Sequence, residues 1–531
     1  MASNRQSTIS EFDAAFHTLG AILAILSILI LLVMMLIPFL TIDRDFHVTP
    51  VFSLANFYDA WDPVMVEAIS NSILLSVIAS VFAIACGSLI TRMLKRYTTP
   101  VAITIILVYV VNPVTRAFSY SDLFTIRTSL QQGISLLIGE WPAQMIVLPA
   151  IILGAHYLPI YLLRFLFVIH KRTAAHHLTG LLNILFVSIP AFLRGFPISF
   201  ALFFLLTFFD YWVIQVISGG KALYWSQMFE QKAFIARDVG QAGMLIIMGL
   251  VLTVLAYVGA WLACSALRML WCKLRPLRIV SIRFNTGFLL DALGILLLCF
   301  LAWPPVYSMM RLVQIVQKGS GFTLIDGGMR AIVLTLILAS SIAVVSTVLS
   351  FICSALYRER PQTCRWWLPS FYFLALVPEA AYVLFSVCVT GLGLLHGSPY
   401  WLFFLMTSFS MPISFFLWES LWGEIEDRKL WMLAGSLRGR TLSSIVLGLK
   451  EWRAFFALTF IINVWMTVDN VFITNFAAGP KWKPLSAIIF TATKRGFSDQ
   501  EFLTGFFGSL CILIVVGVSF LFAHRTLQDT N

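Results

Sequence analysis

The chain has 531 residues, of which 60% are hydrophobic and only 11% charged, with a mean hydropathy of +0.90. A water-soluble domain of this length needs far more charged surface, so the composition excludes one and points to the lipid bilayer as solvent. The net charge of +11 sits in short segments between apolar runs, a membrane-topology pattern that argues against a nucleic-acid partner.

Stretches of about 20 apolar residues cross a bilayer as helices. The first lies around 17–41, after the polar ASNRQSTISEFD. It is longer than a signal-peptide core and lacks a small-residue cleavage site, so it reads as a true span. Five more follow around 69–92, 100–118, 142–169, 182–209 and 240–267. A basic segment, RMLWCKLRPLRIVSIRFN at 268–285, then leads to six further spans around 286–310, 330–356, 367–394, 399–422, 454–474 and 502–523. The expected fold is an all-α integral membrane protein of twelve transmembrane helices. The eight cysteines have no C-x-x-C spacing and fall mostly in apolar runs, where they read as small hydrophobes rather than metal ligands or disulfides.

Lys and Arg set the orientation. With a cytoplasmic N-terminus, the cytoplasmic segments hold 21 of them and the opposite side 13, while the segment after the first span is acidic (Asp43, Asp45, Asp59, Asp62, Glu67). Both termini are therefore expected in the cytoplasm, as are the segments Thr173–Gly180 and Met432–Gly439. Sliding the chain by 259 residues superposes these two segments, and then Arg194 on Arg453, Phe196 on Phe455, Asp210 on Asp469 and Gly220 on Gly479. Over 173–220, 9 of 48 positions are identical, against roughly 4 expected by chance from this composition. Six spans per half preserve orientation, so the halves form a parallel duplication: 1–267, a linker at 268–285, and 286–531.

No nucleotide cradle is present. SGGKAL at 218–223 lacks both the first glycine of a phosphate-binding loop and the hydroxyl after Lys221, so the chain itself is not expected to hydrolyse ATP. The histidines, His156 and the adjacent His176 and His177 among them, make no H-E-x-x-H. Neither enzymatic activity nor a metal or other cofactor is expected. Charges inside spans are the default functional residues, because burying one in lipid is costly. Glu379, after Pro378 in span nine, is either a paired or neutral carboxyl or a wall of a water-filled path. Asp210 and Asp469, at the outer ends of spans five and eleven, are either solvated interfacial carboxylates or path and gate residues. Arg116, after Pro113, reads as interfacial, with a place in the path as the alternative. Trp212, Tyr224 and Trp225 read as interface anchors rather than a cation cage.

The two cytoplasmic segments, TAAHHLTG and MLAGSLRG, resemble the E-A-A-x-x-L-G-A segment of bacterial ABC-importer permeases, here as a fused pair of permease domains. In that family the segment is a short helix that docks on the ATPase subunit. Ala174, Ala175 and Leu178 fit the first copy, and Ala434 and Leu437 the second. Thr173 and Met432 replace the lead glutamate, and Gly180 and Gly439 sit one place late. Asn71 to Ser76 is similar to an N-S-L-x-x-S segment of the spermidine/putrescine-type permeases, Pro113 to Arg116 to their P-x-x-x-R, and Pro378-Glu379 to their P-E/D. TVDNVFITNFAAGPKWKPLSAIIF from Thr467 resembles their D-D/N-V-x-x-x-x-F-x-x-G-P-x-x-x-x-L, with Asp469, Phe476, Gly479, Pro480 and Leu485 in register. Fused thiamine-type and iron-type permeases share the architecture.

The resemblance implies a type I importer permease of the bacterial inner membrane. It implies as partners an ABC ATPase in two copies and a periplasmic or lipoprotein solute-binding protein, with a polyamine-like cation as solute. Two other readings stay open. One is a secondary transporter of the major-facilitator type, although TRMLKRYTTP at 91–100 lacks that family's acidic and glycine positions. The other is a transport-inactive scaffold derived from a permease.

Overall fold

The computed structural model describes residues 54–59, 61–94, 98–125, 146–168, 189–218, 223–236, 238–274, 286–319, 321–359, 374, 377–391, 398–422, 453–493 and 497–528, a strand pair at 40–42 and 48–52, and parts of the first span between 18 and 39. The architecture is helical. Among the described residues, the one departure from the all-α expectation is an antiparallel pair, β1 (Leu40–Ile42) with β2 (Val48–Phe52), irregular between Leu40 and Thr41. Thr41, Ile42, Val48, Thr49 and Val51 are β-branched, and this local preference prevails in a segment too polar to continue a span.

The helices are α1 (Pro63–Leu94), α2 (Thr98–Val110), α3 (Pro113–Thr125), α4 (Leu148–Val168), α5 (Ile189–Phe208), α6 (Trp212–Ser218), α7 (Trp225–Glu230), α8 (Val239–Leu274), α9 (Thr286–Leu301) and α10 (Trp303–Gln317). There follow α11 (Gly328–Glu359), α12 (Glu379–Gly391), α13 (Pro399–Trp422), α14 (Arg453–Asp469), α15 (Val471–Ala477), α16 (Leu485–Thr493) and α17 (Asp499–Gln528). Their starts follow local chemistry. Asp62 Oδ1 accepts the Val64 N–H at 3.1 Å, and Pro63 takes the first helical position, where its missing N–H costs nothing.

Five of the described helices are long and apolar enough to cross a bilayer, or eight if each of three bent pairs counts as one span. Three more expected spans, the fourth, fifth and ninth, are represented by the shorter apolar helices Leu148–Leu158, Phe196–Phe208 and Glu379–Cys388. The exposed faces suit lipid. Only 17% of the most apolar stretch of α8 is buried, and Val251, Val254, Leu255, Val258, Trp261 and Leu262 all face outward. A continuous apolar strip of this kind is untenable in water and ordinary in hydrocarbon.

The chain divides into two compact units. The first unit is Ile37–Gly321. In it α1 packs on α4 and α5, α5 on α8, α9 on α1 and α2, and α10 on α3. A Cβ at Gly154 would lie 2.8 Å from the Ala79 carbonyl oxygen, so glycine is what lets α4 approach α1. The second unit combines Met1–Leu36 with Phe322–Asn531. There α11 packs on α13 and α14, α14 on α17, and α12 on α15. Folded unit and expected sequence repeat are therefore different divisions of the chain: α9 and α10, expected at the head of the second repeat, belong to the first unit, and the first span groups with the second.

Candidate functional site

Among the described residues five expected spans are interrupted, each where the local sequence disfavours a continuous helix. Span seven bends by 43° at Ala302, ahead of Pro304 and Pro305. Span three bends by 103° between Val110 and Pro113. Proline has no N–H to continue the ladder and pushes the preceding residue out of the helical region. Asn112 then caps the new helix, its Oδ1 accepting the Val114 N–H at 3.1 Å. Span nine shows the same chemistry at Pro378, after which α12 starts on Glu379. Span five breaks over 209–211, where Asp210 Oδ1 accepts the N–H groups of Val213 (2.9 Å) and Ile214 (3.3 Å). Span eleven bends by 56° at Asn470, whose Oδ1 accepts the Ile473 N–H at 2.8 Å. An Asp or Asn side chain that captures a backbone donor three residues on offers the chain an alternative to helix, and here the chain takes it.

A buried polar cluster ties the breaks of spans three and five together. Arg116, 1% exposed, lies in the first turn of α3. Its Nε donates to His156 Nδ1 at 3.2 Å, its Nη1 to the Val108 carbonyl at 3.4 Å, and its guanidinium lies 5.6 Å from the centre of the Tyr109 ring. Val108 O is one of the carbonyls left over at the C-terminal end of α2, so Arg116 satisfies a group that the break itself exposes. Because His156 accepts through Nδ1, its ring proton belongs on Nε2. The neighbouring Tyr157 donates its hydroxyl to Asp210 Oδ2 at 2.6 Å. Both oxygens of Asp210 are thus engaged, and the start of α6 adds its favourable dipole. His156 also meets Trp212 edge to face, with ring centres 5.0 Å apart.

Several sequence expectations are corrected here. Arg116 is enclosed rather than interfacial, because span three folds back over it and supplies Tyr109 and Val108 O. Asp210 (4% exposed) and Asp469 (9%) are buried rather than solvated, because each stands at a break wrapped by its own unit. Trp212, Tyr224 and Trp225 are buried core residues rather than interface anchors; Trp225 Nε1 donates to the Leu245 carbonyl at 3.0 Å. Glu379 is half-buried, in the first turn of α12, where a carboxylate complements the helix dipole. Glu379 and Asp469 belong to the second unit, Arg116 and Asp210 to the first. Thr173, Ala174, Ala175, Leu178 and Gly180, with Met432, Ala434, Leu437 and Gly439, lie outside the described residues.

One sequence motif acquires a structural role. Asn71 Nδ2 donates to the Leu223 carbonyl at 3.1 Å, and Ser72 Oγ accepts the Trp225 N–H at 2.8 Å, so α1 anchors the start of α7. The second unit repeats the device with Thr335 of α11, whose Oγ1 accepts the Leu485 N–H at the start of α16 at 2.7 Å. Its polar interior includes the buried Asp469 and a Ser354 hydroxyl that donates to Glu419, together with a neutral set. In that set Ser414 donates to Asn463 Oδ1 at 2.7 Å, Asn463 Nδ2 to Thr347 Oγ1 at 3.0 Å, and Ser346 pairs with Ser410 at 2.7 Å. Near its span-eleven break is a cavity of about 10 Å³ lined by Thr335, Thr467 and Thr474 with Leu338, Ile342 and Met406 among its apolar walls. That is room for one water.

Sequence reasoning named His156 without giving it a role, and passed over Tyr157, Asn463 and Asn470. The signal was available: each is a polar side chain within an otherwise apolar run, where a hydrogen-bond partner is obligatory. Comparison of the chain with models of protein families, with characterised proteins and with solved structures finds no match.

Proposed function

We propose that the chain is the membrane-spanning permease of an ABC-type importer in a bacterial inner membrane, with both termini cytoplasmic. It forms the path for a small solute, driven by a separate ATPase in two copies and served by a solute-binding protein. The observation that carries this reading is the interruption of spans three and five in one half of the sequence and of nine and eleven at the corresponding places in the other, beside a further bend in span seven. Non-helical backbone at membrane depth is tolerated where it is buried in protein or lines a cavity, and paired interruptions in two repeats are a feature of solute paths. The matched anchors, Ser72 on Trp225 and Thr335 on Leu485, support the duplication. The solute is proposed to be a polyamine-like organic cation, with Glu379 and Asp469 as its carboxylates, because multiple positive charges need anions to cross a low-dielectric path. Arg116 and Asp210 hold the breaks of spans three and five within the first unit. The segments 173–180 and 432–439 are the chain's ATPase-docking segments.

Affinity purification of the intact protein in mild detergent tests the class: an ATPase subunit should co-purify. Recovery of the chain alone, with uptake that follows an ion gradient rather than ATP, identifies a secondary transporter instead. In the reconstituted complex, Glu379→Gln should lower polyamine uptake about tenfold, equivalent to about 1.4 kcal/mol of binding. Unchanged uptake removes Glu379 from the path.

A further inference from the structure

Helix α4 carries two consecutive polar side chains, His156 and Tyr157, in the middle of the apolar run AIILGAHYLPIYLL. They are 1% and 8% exposed. Neighbouring residues on a helix point about 100° apart, so the two reach different partners. His156 takes the Arg116 proton donor in the first turn after the span-three break, and Tyr157 gives its proton to Asp210 at the span-five break. The two rings touch edge to face, with centres 4.9 Å apart, and His156 leans on Trp212, the first residue of α6. From one turn, α4 thus grips the interruptions of spans three and five, while Arg116 closes span three across its own break through Val108 O and the Tyr109 ring.

We propose that His156 and Tyr157 are positioning residues that hold the broken spans three and five in one register, so that a shift of α4 moves both of these breaks together. The proposal rests on the permease reading for its consequence in transport. Two apolar side chains in these places would join the same helices without burying any polar group. Hydrogen bonds differ from such packing in being directional and short-ranged, so a displaced α4 either carries its partners with it or loses the bonds.

The test uses Tyr157→Phe, which keeps the ring and removes only the bond to Asp210, and His156→Gln, which keeps an acceptor for Arg116. In the full complex in proteoliposomes, Tyr157→Phe should lower uptake about tenfold, within the usual range of coupling between sites, while ATP hydrolysis is maintained. The ATP consumed per solute moved then rises by the same factor, and His156→Gln should stay near wild type. Unchanged uptake, or uptake and hydrolysis falling together, overturns the proposal and leaves the pair as packing. Absence of any ATPase partner strikes at the permease reading instead, so a second measurement stands apart from it. Spin labels at Leu123 on α3 and Val216 on α6 should give one narrow distance in the otherwise unaltered protein and a broadened distribution in Tyr157→Phe. An equally narrow distance in both overturns the proposal whatever drives transport.

Discussion

The two units bury polar groups in opposite styles. The first holds its interruptions with ionisable side chains, Arg116, His156, Tyr157 and Asp210, each already committed to a partner. The second buries Asp469 and ties Ser354 to Glu419, but it holds its span-eleven break with the neutral Asn470. It joins its helices largely by hydroxyls and an amide, Ser414, Asn463 and Thr347, with Ser346 on Ser410. The matched starts of α3 and α12 differ in the same sense: Arg116 comes three residues after Pro113, within a turn, whereas Pro378 is followed at once by Glu379. Charge in a dry interior is costly to unpair, so the first unit has few acceptable rearrangements. Neutral hydroxyls exchange partners at little cost, so the second has many.

That contrast breaks most visibly at Asp210. Asp210→Ala strands the Tyr157 hydroxyl and two amides, and should destabilise the protein by about 3 kcal/mol, read as a lower midpoint of thermal unfolding in detergent. A loss no larger than that of a neutral site would erase the distinction between the units. In the second unit, Asn463→Leu removes both amide bonds from a neutral neighbourhood and should cost about 1 kcal/mol in the same assay. The smallest effect belongs to the double variant Ser346→Ala with Ser410→Ala. Both partners disappear together, no polar group is stranded, and the midpoint should stay within error of the parent. A large drop there would mean that the hydroxyl pair is as constrained as the charged cluster.

What the sequence disclosed, and what it hid, divide along physical lines. Hydrophobic runs are an additive property of composition, so each of the expected spans two to twelve overlaps a described helix. Pro113, Pro378 and Asp210 were singled out because proline and acidic residues interrupt an apolar pattern by themselves. The partners of these residues were not legible. Nothing in ILGAHYLPIY announces that His156 turns to Arg116 and Tyr157 to Asp210, since both pairings join residues 40 or more positions apart. Burial was misjudged for the same reason. A tryptophan or carboxylate near the end of a run looks interfacial until the chain folds back over it, as it does at Trp225 and Asp210. The strand pair at 40–52 was hidden because its residues were weighed for hydropathy and not for β-branching.

The membership of the first span sets an order of assembly. Met1–Leu36 groups with Phe322–Asn531, while Ile37–Gly321 is compact within itself. A segment made before Ile37–Gly321 therefore belongs with a body made after it, and must wait in the bilayer through the making of everything between. Domains made on the ribosome tend to fold in the order of their synthesis, so the first unit can close while the second exists only as its first span. Cutting the gene at the basic segment 268–285 would yield two fragments, each lacking helices that its own unit requires. Only their joint production in one membrane would let those helices find the bodies they complete.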